Sequence, residues 1–77
     1  DSNTLGKVIA TKPESRMIHF SLGTKDGIEP QQMLEIMRDR KRISQIRVVL
    51  AKENQSVGIA SNNEGFSTIM LNDVVQP

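Results

Sequence analysis

Turn-forming clusters recur along this chain at short, regular intervals: 12–15, 23–27, 38–42, 53–56 and 61–65. This punctuation constrains the fold more than any other feature. The clusters read "KPES", "GTKDG", "RDRKR", "ENQS" and "SNNEG". Pro, Gly, Asn, Asp and Ser supply the backbone angles and local side-chain hydrogen bonds that reverse a chain. Short segments between regular turns are the pattern of a small all-β barrel or sandwich.

The segments agree. Gly6 to Thr11, "GKVIAT", is rich in β-branched residues and reads as a strand. In "RMIHFSL", Ile18, Phe20 and Leu22 alternate with His19 and Ser21, the period of a half-buried strand. "VGIA" at 57–60 reads as a strand with Val57 and Ile59 on one face, and "STIML" at 67–71 as the last strand.

The stretch "IEPQQMLEIMRDRKRISQIRVVL" admits two readings. Pro30 suits a first helical turn, and Met33, Ile36 and Met37 have helical spacing, so an α+β fold with a helix at about 29–42 is one. The other takes "RDRKR" as a charged hairpin between two strands, because the apolar stripe stops at Met37 and resumes as the β-branched run "ISQIRVVL".

Composition bounds the rest. Seventy-seven residues suffice for one small domain, 1–77. There is no Trp or Tyr and there are two Phe, so aliphatic residues and Met must fill the core, with Phe20 and Phe66 inside and at least two of the four Met. No cysteine is present, which removes disulfides, thiolate ligands and a thiol nucleophile. That fits the cytoplasm and a bacterial periplasm equally. A net charge of +1 does not mark a nucleic-acid or membrane-surface protein. No apolar run approaches the roughly 20 residues of a membrane span. No signal-peptide pattern opens the stretch, which starts at Asp1. The expectation is a domain excised from a longer chain.

"LGTKDGI" at 22–28 raises the question of phosphate binding. A P-loop needs lysine and a hydroxyl after its second glycine, opening a helix. Here Lys25 lies between the glycines, and Ile28 and Glu29 follow. The plain reading is a turn in which Gly23 and Gly27 take positive φ and Asp26 caps with its side chain.

His19 is the sole histidine; it alternates with core residues and reads as a solvated strand residue. Ser15 and Ser21 are near it, without an elbow motif. Glu14 and Asp26 are scattered and build no metal set. Glu35, Asp39 and Glu53 sit among basic residues and suggest ion pairs across strands or hairpins. No nucleophile, metal set or acid–base pair assembles, so the expectation is a protein that is not an enzyme and has no cofactor. "NQS" at 54–56 matches a glycosylation sequon, meaningful only on a eukaryotic secretory route. Arg38, Arg40, Lys41 and Arg42 form the one concentrated basic patch. It is a candidate contact for a partner or for nucleic acid, although the chain lacks the aromatic platforms that single-strand binders use.

The order "GKVIA", "LGTKDGIEPQQMLEIMRDRKRISQIRVV" and "IMLNDVV" resembles a small β-barrel module of bacterial envelope proteins. The C-terminal domain of the flagellar assembly T protein and the barrel domains of the rod-shape-determining periplasmic scaffold are similar. The resemblance runs from about Gly6 to Val75, and Gly23, Asp26 and Gly27 match the family's turn. Gln32, Arg40 and Asn72 stand where the family usually has glycine, a departure that bears on the turn geometry. The resemblance implies an all-β, six-stranded barrel in which 33–37 and 43–51 are strands and Ile46, Val48 and Leu50 face inward. It implies no enzyme. The expected role is a structural or protein-interaction module in the periplasm or cell envelope, binding partners or its own copies through a strand edge or polar loops. A nucleic-acid-binding barrel using the hairpin at 38–42 is the alternative.

Overall fold

The computed structural model describes residues 5–12, 14–60 and 69–77. Six strands form: β1 (Gly6–Lys12), β2 (Met17–Phe20), β3 (Met33–Arg38), β4 (Lys41–Ala51), β5 (Ser56–Ala60) and β6 (Val74–Gln76). They close into a barrel in the order β1-β2-β5-β4-β3-β6, with every neighbouring pair antiparallel. The only helical feature among the described residues is one 3₁₀ turn, Thr24–Asp26.

Period-two burial explains the architecture. Ile18 and Phe20 of β2, Leu34 and Ile36 of β3, and Ile46 and Val48 of β4 are each fully buried. They are two residues apart on a strand, so they share a face. Val8 of β1 and Val75 of β6 complete the ring. Burying an aliphatic or aromatic side chain of this size is worth about 1.5–3 kcal/mol. A barrel this narrow is filled by its own side chains.

The same arithmetic rejects the helix at 29–42. Leu34 and Ile36 would lie on opposite sides of a helix, and here both are fully buried. Pro30 stands instead in a turn, closed by Gln32 N donating to Glu29 O at 3.3 Å and by left-handed backbone at Gln31 (φ 76°).

Three placements differ from the sequence reading. Leu50 points out, 48 % exposed, because β4 bulges: Val48 opposes Gly58, yet Leu50 opposes Val57. The extra residue, Val49, shifts the facing of the residues beyond it. The last strand is Val74–Gln76; Ile69, Met70 and Leu71 are not in a strand, and residues 67 and 68 lie outside the described residues. No methionine joins the core: Met33 and Met70 are exposed and Met17 and Met37 half-buried. The β-branched and Leu side chains already fill the interior, and register puts Met17 and Met33 on the outside. Phe20 is in the core; Phe66 falls outside the described residues. Val57 and Ile59 do share a face, but it is the outer one. β5 turns the small residues Ser56, Gly58 and Ala60 inward, where Ile46 fills the space.

Candidate functional site

The turn at 23–27 is structural in its geometry. Asp26 Oδ2 accepts from Gly23 N at 3.0 Å, and Gly27 N donates to Thr24 O at 3.0 Å. Gly27 adopts φ 87°, the left-handed region that favours glycine. Gly23 has φ −145°, extended backbone, which corrects the expectation of positive φ there. Glycine is needed at 23 for close approach instead: a Cβ would collide with the carbonyl oxygens of Lys52 and Glu53. Thr24 N and Lys25 N donate to those same two carbonyls, at 2.7 and 3.4 Å. The amides a phosphate cradle would offer are occupied by the β4–β5 loop.

The basic patch is split by the fold. Arg38 ends β3 and Lys41 opens β4, with Asp39 and Arg40 as the two-residue turn between them. Both turn residues have positive φ, 52° and 68°. Arg38 is committed inward. Its Nε donates to Asp73 Oδ1 at 2.8 Å and its Nη2 to Asp73 Oδ2 at 2.7 Å. Arg42 Nη1 lies 3.7 Å from Glu35 Oε2, an exposed and loose pair. Arg40 and Lys41 are exposed at the tip.

Asp73 is the residue that sequence reading missed. It is 5 % exposed, and besides Arg38 its Oδ2 accepts from Met70 N at 2.8 Å. Its own carbonyl accepts from Val8 N at 2.9 Å, while Asn72 N donates to Val8 O at 2.9 Å. One side chain therefore ties β3 to the closing turn at 70–73, and the neighbouring backbone ties that turn to β1. Burial pushes the Asp73 carboxyl up. The Arg38 hydrogen bonds, the Met70 amide and the guanidinium charge outweigh it and hold the group below its ordinary 3.8. The available signal was "ND" before a β-branched pair, where Asn tolerates left-handed backbone; Asn72 has φ 71°.

The outer face of β1, β2, β5, β4 and β3 carries a second constellation. Register aligns Met33, Arg47, Ile59, Met17 and Lys12 in one row across five strands. A parallel row holds Leu50, Val57, His19 and Ala10. The bulge at Val49 is what brings Leu50 into it. A groove of about 380 Å³ opens on the first row, lined by Arg16, Met33, Arg47, Ile59 and Ala60. A smaller one of about 160 Å³ opens on the second, lined by His19, Leu50, Lys52, Gln55, Ser56 and Val57. Arg16 is held at φ 58°, an uncommon conformation for a side chain of its size.

No protein-family model matches this chain. No curated protein matches it either.

His19 thus lines the smaller groove, half-buried, and no cluster of three or more His, Cys, Asp or Glu that could hold a metal occurs among the described residues. Nor is any described helix long and apolar enough to cross a membrane. Each of the six strands has a hydrogen-bonded neighbour on both sides. Barrel closure thereby leaves none of these strands with a wholly unpaired edge of the kind expected as a docking device. Faces and loops are left to do that work.

Proposed function

We propose that this chain is a non-catalytic protein-interaction module of a bacterial cell-envelope protein. The outer face of β2, β5 and β4 carries the reading: two grooves that mix apolar walls with cations, on a barrel whose interior is filled with its own apolar side chains. Such a face binds by shape and by a few charged contacts, with no chemistry needed. The envelope assignment rests on the sequence resemblance to the small barrel modules of envelope proteins. The closed six-stranded barrel is compatible with it. So is the left-handed backbone at Arg40 and Asn72, where the similar modules have glycine. Gln32 is not at positive φ, but its neighbour Gln31 is.

Nucleic-acid binding through 38–42 has weaker support, because Arg38 is bound to Asp73 and Arg42 lies beside Glu35. Two experiments test the pair. A photo-crosslinker at position 50 of the full-length chain, in the cells that make it, is expected to trap a discrete envelope protein, and one at position 25 is not. Equal trapping from both positions, or from neither, sinks the interaction reading. Titration with DNA and RNA across a salt series tests the other; saturable binding at low salt, lost on reversing Arg40 and Lys41, would replace the first proposal.

A further inference from the structure

The geometry points to the chemistry of the partner: an extended segment in which two apolar residues, two positions apart, are flanked on the same side by carboxylates, laid along β5 on the outer face. This rests on the interaction reading and names what the face takes.

Charge is the first ground. Among the described residues lining the two grooves, Arg16, Arg47 and Lys52 are cations and none is an acid. Lys12 ends the first row with another cation. A chain of net charge near zero has thus gathered one sign at one place. A second copy presenting the same face in a two-fold dimer would set these cations against each other. The occupant is therefore a different, acidic surface.

Spacing is the second ground. Val57 lines one groove and Ile59 the other, and the two lie two residues apart on β5, facing the same way. Strand geometry separates such positions by about 7 Å. That is also the repeat of same-side residues in an extended peptide. A segment running along β5 sets one apolar side chain in each groove. The next same-side residues of the segment, two positions before and two after the pair, meet Arg16 and Arg47 at one end and Lys52 at the other, while the residue between the pair points away. Guanidinium groups suit this role because they grip carboxylates in a bidentate fork. The recessed, groove-like relief and the absence of Trp and Tyr argue against a lipid surface or single-stranded nucleic acid, which call for protruding apolar groups or stacking rings.

The test pairs the 77-residue chain with short peptides of the pattern X-Ser-Leu-Ser-Leu-Ser-X, in which X is Glu, Gln or Lys and lies on the Leu side, followed by amide NMR shifts and fluorescence anisotropy. The Glu peptide is expected to bind best and to shift Val57, Ile59 and Arg47, with affinity falling as salt rises. Arg47→Glu is expected to weaken it about tenfold or more, and Arg47→Lys much less. Arg16→Asn, which tolerates the left-handed backbone, removes a cation without straining the turn and is expected to weaken binding too. Circular dichroism confirms that each variant folds. If the Gln or Lys peptide shifts the same amides equally well, the face docks partners but the acidic assignment is overturned. If no peptide perturbs it, or if anionic vesicles or oligonucleotides do so in place of the Glu peptide, the proposal fails. The crosslinking result from position 50 then stands or falls on its own.

Discussion

The turn at 23–27 and the hairpin at 38–41 both reverse the chain through left-handed backbone, and they meet that demand with opposite residues. The first places glycine at Gly27 (φ 87°), where an added Cβ would meet nothing. It places another at Gly23, where sterics and not φ require it. The second puts Asp39 and Arg40 at φ 52° and 68°, in a turn whose favoured pairs are Asn-Gly and Asp-Gly. The left-handed region costs an ordinary residue about 1–2 kcal/mol. The hairpin tolerates this because tertiary contacts over-determine it. Six register pairs bind β3 to β4, and the Arg38–Asp73 bridge anchors its base to the closing turn. Gly27 answers a local backbone need and Gly23 a close tertiary approach, whereas the Asp-Arg turn is held in its conformation from outside.

That contrast can be broken by substitution. Gly23→Ala is expected to have the largest effect, about 3 kcal/mol lost, because backbone on both sides must shift; urea unfolding of the variant reads it. An unchanged midpoint would mean that the approach to Lys52 and Glu53 is not tight. Next comes Asp73→Ala, which leaves Met70 N–H without its acceptor and unpins the hairpin. A loss of about 2 kcal/mol is expected, a fall in Tm of roughly 8–16 °C for a domain of this size.

Asp73 also sets a pH signature. Its folded value lies below the ordinary 3.8, so its contribution is fully present above 3.8 and is lost as pH falls through the folded value. Arg38→Met leaves burial as the leading influence on the carboxyl and should reverse the sign, the variant gaining stability on acidification from neutral pH. Thermal melts across pH 2–7 compare the two; parallel profiles would show that the bridge does not set the titration. Gly27→Ala should cost about 1 kcal/mol. Arg40→Gly should stabilise by about 0.5 kcal/mol, since relief of the left-handed strain is partly offset by a freer unfolded chain. Denaturant midpoints measure both. If Arg40→Gly destabilises, the hairpin is not under strain and the comparison with Gly27 is wrong.

The legible parts share a physical basis. Strand positions with one buried face betray themselves by alternation, which is why Ile18, Phe20 and Leu22 were readable as one buried face, whereas the inward facing of Ile46 and Val48 came from the resemblance. The hairpin at 38–42 was readable because charge interrupts an apolar pattern. Leu50 was not, since a bulge breaks the period and the residue after it looks the same in sequence on either face. β6 escaped because three residues give too little pattern, and its place between β1 and β3 is defined only by pairing. The basic patch was visible as a cluster, but its division between Arg38, bound to Asp73, and the exposed Arg40 and Lys41 was not. Those partners are 35 residues apart.

Sequence alone marked short strands set between turns and left 29–42 open between a helix and a charged hairpin, because local propensity and period-two patterning act over neighbouring residues. Only the tertiary structure decided the closure of the barrel, the Asp73 anchor, and the outer face where Arg16, Arg47, Leu50 and Ile59 gather. Each of these depends on register between distant strands. A one-residue bulge is enough to exchange a side chain between the core and the surface.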